Sequence, residues 1–187
     1  MGCRVCTGEG VYGEGEGALG YGVASAAACG MMKDQGELII GMDPLEKEGI
    51  WDKLYKAPFW GQNGGPVVFA GISALDIALW DIKGKYFQAP IYKLLGGKFR
   101  DNIRCYASQL QFGWDDKWHG YTDPKDYAFS ARQALDDGYD AIKVDPVMFA
   151  RDGSNRLLAS PAGYFGIMTH DQVKMGRDRL EAMRQEV

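Results

Sequence analysis

The chain has 187 residues, 46% of them apolar, which is enough to bury a sizeable core. Its formal net charge is −4 and no dense cluster of lysine and arginine offsets it, so the electrostatic footprint of a nucleic-acid binder is missing. The longest near-apolar run, residues 23–32, contains Ser25 and Gly30 and is too short to span a bilayer, and no charged-then-apolar leader pattern opens the sequence. The expectation is a soluble, cytoplasmic protein with a small-molecule partner, no nucleic acid and no membrane.

Cys3 and Cys6 have the spacing of a metal or redox pair, but on a strand positions three apart point to opposite faces. Cys29 and Cys105 are solitary, so free thiols are expected. Residues 8–22 are glycine-dense, and Gly15 to Gly20 satisfies the dinucleotide fingerprint GxGxxG. Glu14 and Glu16 would set carboxylates where a pyrophosphate should sit, so these glycines read instead as hairpin residues that supply turns and close packing. Helical spacing of small and apolar residues follows from Gly22 to Ile40. Asp43-Pro44 reads as the cap and first residue of a second helix, with Ile50, Trp51, Leu54 and Tyr55 in its apolar stripe. Pro66 opens the longest helix, apolar nearly all round and therefore central and buried. A short helix from Ile91 to Leu95 is stopped by Gly96-Gly97.

The pattern changes after Lys98. Residues 102–108 alternate like a strand, Asp123-Pro124 caps a helix that runs to Asp137, and Ala141 to Val147 is the next strand. Thr169-His170-Asp171-Gln172 is a capping box for a last helix from Gln172. The order strand, helix, strand, helix implies a parallel sheet with helices packed outside it. Within the 141–147 strand, Lys143 and Asp145 share one face while Ile142 and Val144 share the other. Charges on a covered strand are paired or used, which makes this the candidate site; an edge strand with a solvated face is the alternative. Tyr106 and Ser108 share a face of the preceding strand by the same alternation.

Residues 80–85 (Trp-Asp-Ile-Lys-Gly-Lys), 92–97 (Tyr-Lys-Leu-Leu-Gly-Gly), 106–108 (Tyr-Ala-Ser) and 142–145 (Ile-Lys-Val-Asp), in this order, resemble the enolase superfamily. More narrowly, they resemble its mandelate racemase and muconate lactonizing group, in the branch of sugar-acid dehydratases. The resemblance implies an α+β capping domain over residues 1–98 and, over residues 99–187, the first two β/α units of a TIM-type barrel. That barrel is expected to be incomplete, since a closed one takes about 250 residues. The implied chemistry is abstraction of the proton α to the carboxylate of a sugar acid, then β-elimination of water, with Mg²⁺ stabilising the enediolate. A homo-oligomer is implied for the complete enzyme.

Carried over by residue, Lys143 matches the first lysine of the family's Lys-x-Lys motif, and Asp145 stands where the second, the base of racemase-type sites, would be. Lys143 is then either the base or the cation that orients the substrate carboxylate, with Asp145 tuning it. Tyr106, Ser108 or Gln109 is expected to reach the substrate. The family's acidic Mg²⁺ ligands fall on later strands, so no metal ligand is expected among these residues, and the chain reads as an internal piece of an enzyme. A racemase or cycloisomerase of the same superfamily, and a non-catalytic product used for assembly, are the alternatives.

Overall fold

Two hydrophobic cores form along the chain, one within Met1–Asp101 and one within Asn102–Val187. The structure is a computed structural model that describes residues 1–19, 24–59, 62, 64–154 and 168–186. In the first unit β1 (Gly2–Cys6) and β2 (Tyr12–Glu16) pair antiparallel, with Cys3 opposite Gly15 and Val5 opposite Gly13. Helices α1 (Ser25–Leu38), α2 (Lys47–Lys56), α3 (Pro66–Tyr86) and α4 (Ile91–Leu94) follow. The central member is α3, which buries Ile72, Leu75, Leu79 and Ile82 against Met32 of α1 and Ile50 and Leu54 of α2. Its cover is not complete, because Phe69 and Ile77 stay exposed.

The glycine-dense stretch acts through what it lacks. A Cβ built on Gly13 or Gly15 would lie 1.9 Å from the carbonyl oxygen of Ala78 or Ala74, and one on Gly17 would lie 2.7 Å from that of Ala70. The bare inner face of β2 therefore rests directly on the α3 backbone along an alanine row spaced four apart, one ridge of the helix. Gly15 and Gly17 of the apparent dinucleotide fingerprint are committed to this contact, while Gly20 and the expected helix start at Gly22 lie outside the described residues. Beside it, the Cys3 thiol donates to the Ala74 carbonyl at 3.4 Å while Cys6 is exposed, and all four cysteines are free. The second helix starts later than its cap signal: the Asp43 carboxylate accepts the Leu45 N–H at 2.9 Å in a turn that precedes α2. Trp80 is half-buried, with the ammonium groups of Lys47 and Lys83 over its ring.

In the second unit β3 (Ala107–Ser108) and β4 (Ile142–Lys143) pair parallel, Ala107 beside Ile142 and Ser108 beside Lys143. Helix α5 (Pro124–Asp136) connects them and α6 (His170–Glu186) follows. The Asp123 carboxylate caps α5 by accepting the Lys125 N–H at 2.9 Å. The capping box at α6 forms in both directions, Thr169 N–H to Gln172 Oε1 at 2.9 Å and Gln172 N–H to Thr169 Oγ1 at 3.3 Å, although the helix opens at His170 and not at Gln172. Tyr127, Ala131 and Ala134 of α5 and Met183 of α6 close on Ala107 and Leu110, with Ile142 and Val144 packed against them.

Both strands are shorter than their alternation predicts. Residues 102–106 are exposed and outside any ladder among the described residues, and β4 ends at Lys143, not at Val147. The reason at β4 is local: the Asp145 N–H, next in line to bond β3, is taken by a side chain. Among the described residues no helix is long and apolar enough to cross a membrane.

The strand-on-helix contact predicts that Gly15→Ala, whose new methyl would meet the backbone of α3, lowers stability by about 3 kcal/mol in urea unfolding. The same change at exposed Gly8, where an added Cβ meets nothing within 4 Å, should cost little.

Candidate functional site

The carboxyl ends of β3 and β4 lie side by side. The Ala107 and Gln109 N–H groups donate to the carbonyls of Ala141 and Lys143, both at 2.9 Å. Ile142 faces the helix-side core, so its neighbour Lys143 projects to the opposite face, where it is exposed. In-register residues of paired strands share a face, which sets half-buried Ser108 next to Lys143. Tyr106 precedes β3 and is exposed.

Gln109 leaves the strand in the left-handed region, φ 68° and ψ 36°, and starts a 3₁₀ turn, Leu110–Phe112. Its exposed side chain accepts from the amide of Gln111, a residue with 0% exposure. The Gln111 amide is held on three sides: Oε1 accepts the Asp145 N–H at 3.1 Å, and Nε2 donates to Gln109 Oε1 and to the Met148 sulfur, the latter at 3.6 Å.

Asp145, expected on the same strand as Lys143, stands beyond β4, so strand alternation does not set its side chain beside Lys143. Its carboxylate accepts the N–H of Val147 at 3.2 Å, a turn-forming bond that holds the chain as it leaves the strand. Beneath this turn lies Arg179, fully buried on α6. Its guanidinium donates to the carbonyls of Thr122 (3.2 and 2.7 Å), Pro146 (2.7 Å) and Phe149 (2.8 Å), and it sits 5.0 Å from the Tyr127 ring centre. Burial pushes the Tyr127 hydroxyl up to about 12, with the Asp145 and Asp126 carboxylates adding to the rise and Arg179 opposing it.

The loop after β3 is tied to itself. The His119 N–H donates to the Phe112 carbonyl at 2.8 Å, and the His119 ring meets the Asp115 carboxylate at 3.2 Å. The Lys117 N–H, and after it His119, hold Asp115 below the usual carboxylate range. Phe112, Trp118 and Phe149 pack ring to ring on one side of this loop, and an open cleft of about 780 Å³ lies along it, bounded by Ser108, Gln109, Trp114 and Tyr139. Mg²⁺ wants carboxylate oxygens converging on one point. Among the described residues no three His, Cys, Asp or Glu side chains come together in that way, so those residues do not fit a Mg²⁺ ion.

Of the sequence-predicted residues, then, Ser108, Gln109 and Lys143 meet at the strand ends. Tyr106 stands outside the ladder and Asp145 beyond it. Gln111 and Arg179 escaped the reading. For Arg179 a signal existed, since it stands four residues from both Met175 and Met183 on the buried face of α6.

Residues 3–96 match the model of the mandelate racemase / muconate lactonizing enzyme N-terminal domain. The chain belongs to that family. The α+β unit built on α3 carries the matched segment, as the resemblance implied for a capping domain. Among relatives of this mandelate racemase family chain, the D-galactonate dehydratase of Pectobacterium atrosepticum is 32% identical over 142 residues, 76% of this chain and 34% of that protein. A D-galactonate dehydratase family member of Pseudarthrobacter chlorophenolicus is 36% identical over 141 residues, 75% of this chain and 31% of that protein. A solved structure of an enolase superfamily member from Salmonella Typhimurium matches with a TM-score of 0.92 at 47% identity, covering 100% of this chain and 47% of that one. This chain therefore spans about a third of the length of the curated relatives and less than half of the solved one.

Replacing Arg179 by Leu leaves three backbone carbonyls of the second unit without this donor, and a loss of about 3 kcal/mol or more is expected in chemical denaturation. Tyr127 sets an alkaline limit. Its folded value lies above the ordinary 10.0, so the stability of the neutral, buried hydroxyl is complete below pH 10.0 and is lost as pH climbs toward about 12. Ultraviolet titration should show a tyrosine step near pH 12 that disappears in Tyr127→Phe.

Proposed function

We propose that this chain is part of a sugar-acid dehydratase of the enolase superfamily, carrying the capping domain and the opening β/α units of a barrel. The observation that carries the reading is the exposed ammonium of Lys143 at the carboxyl end of a parallel strand pair, beside Ser108. The likeness to a D-galactonate dehydratase and to a D-galactonate dehydratase family member supports the reaction class. In that reaction the C2–H bond of an aldonate breaks, its electron pair forms the C2=C3 bond, and the C3 hydroxyl leaves as water once protonated. The enol then relaxes to a 2-keto-3-deoxy acid.

Lys143 serves as the cation facing the substrate carboxylate. Charge builds on that carboxylate as C2 loses its proton, and a fixed positive group is worth most where charge develops. Ser108 offers a hydroxyl beside it for a substrate oxygen, and the amide of Gln109 lies one residue further along the same edge. Asp145 acts on this edge through the backbone turn it holds.

The test is a semicarbazide assay for 2-keto product on the protein as expressed from its own gene, across an aldonate and aldarate library that includes D-galactonate, with Mg²⁺ supplied. Turnover of at least one aldonate is expected of the complete enzyme, and none of residues 1–187 alone. Lys143→Ala should lower kcat/KM by about 10²-fold or more, and Lys143→Arg, which keeps the charge, should retain a larger share. No product from any acid sugar would end the dehydratase reading, whereas full activity in Lys143→Ala would remove Lys143 from the mechanism.

A further inference from the structure

The β3–β4 ladder is completed by a side chain. In this parallel register the Ala107 N–H meets the Ala141 carbonyl and the Gln109 N–H meets the Lys143 carbonyl, both at 2.9 Å. The next rung would run from the Asp145 N–H to the Gln109 carbonyl. That carbonyl has gone elsewhere: the left-handed backbone at Gln109 turns it into the 3₁₀ turn, where it accepts the Phe112 N–H at 3.0 Å. The Asp145 N–H goes instead to Gln111 Oε1 at 3.1 Å.

The amide orientation of Gln111 follows from its partners. A backbone N–H requires the oxygen on one side, while Gln109 Oε1 and the Met148 sulfur, both acceptors, require the nitrogen on the other. With 0% exposure, no solvent replaces these bonds if they are lost.

We infer that Gln111 is the positioning residue for Lys143: its buried amide supplies the rung that β3 can no longer make, and so fixes the carboxyl end of β4 on which Lys143 stands. The functional part of this inference rests on the reading of Lys143 as the substrate-facing cation. The rung itself does not. Gln111 touches no substrate in this account and acts through the backbone on either side of Val144.

The experiment compares the wild-type protein with Gln111→Leu, which removes acceptor and donor at similar size, and with Gln111→Glu, which keeps an acceptor. Three readouts are taken: hydrogen exchange of the Asp145 amide, the ¹³C-methyl resonance of reductively methylated Lys143, and kcat and KM on the aldonate that the wild type turns over fastest. In Gln111→Leu the Asp145 amide should exchange about tenfold faster while the amides of Ala131 and Ala134 in α5 are unchanged. The Lys143 resonance should shift, and kcat should fall about 100-fold with KM within about threefold. In Gln111→Glu the introduced carboxyl mimics the amide only while protonated, so exchange and kcat should approach wild type at low pH and worsen on its ionisation. That adds a limb to the kcat–pH profile that a residue of purely structural weight would not produce.

Unchanged Asp145 exchange in Gln111→Leu overturns the rung. Faster exchange with an unmoved Lys143 resonance, or with unchanged kcat, overturns the positioning role. A wild-type protein without turnover sinks the dehydratase reading alone, and exchange together with the Lys143 resonance still decides the inference. Should Gln111→Leu not fold, the pH series on Gln111→Glu decides it.

Discussion

The guanidinium of Arg179 holds the turn after β4 and the loop before α5 in one place, and the candidate edge of the second unit depends on that placement. Thr122 precedes the α5 cap, and Pro146 and Phe149 follow β4, so segments far apart in sequence meet on one side chain of α6. A lysine would be a poor substitute, because the planar fork of arginine sends fixed donors in several directions while an ammonium acts nearly as a point. Burying a cation is costly, and here carbonyl dipoles and the face of Tyr127 offset that cost. The same proximity explains why the Tyr127 hydroxyl resists ionisation less than burial alone would make it.

The first unit solves a different problem with no charge at all. A two-stranded hairpin is marginal by itself and must lie on something. Here Gly13 and Gly15 of β2, and Gly17 just beyond it, face Ala78, Ala74 and Ala70, and the missing side chains let the backbones approach within contact distance. Polar residues of the alternate positions stay outside, where Glu14 pairs with Arg4 at 2.6 Å, and its N–H donates to Asp81 at 2.9 Å. Gly15 and Gly17, the first two glycines of the apparent nucleotide-binding motif, are thus part of a packing surface with carboxylates on its solvent side.

How much of this could be seen beforehand varied with the range of the forces involved. Signals carried by a few adjacent residues were legible: the Thr169–Gln172 capping box, the Asp123-Pro124 start of α5, and the proline that opens α3. Alternation located both strands of the second unit and their shared direction but overstated their length, because a ladder requires a partner at each rung and alternation counts only one chain. That overstatement carried Asp145 into the strand, which ends at Lys143. At the candidate edge, Ser108, Gln109 and Lys143 could be named from motif and spacing. Gln111 could not, since its flanks Leu110 and Phe112 form no period, and its value lies in a partner more than thirty positions along the chain.

The rung at the end of β4 also bears on how such an edge can change over time. A backbone rung resists substitution, since every residue except proline supplies the same N–H and carbonyl. A rung made by a glutamine side chain is written in a single codon. Drift at that one position can loosen or reset the tip of the strand while the rest of the ladder, the α5 cap and the core beneath are left as they were. The geometry around Lys143 is thereby open to small evolutionary adjustment without a new backbone, and relatives that differ at this position are where altered substrate preference should be sought first.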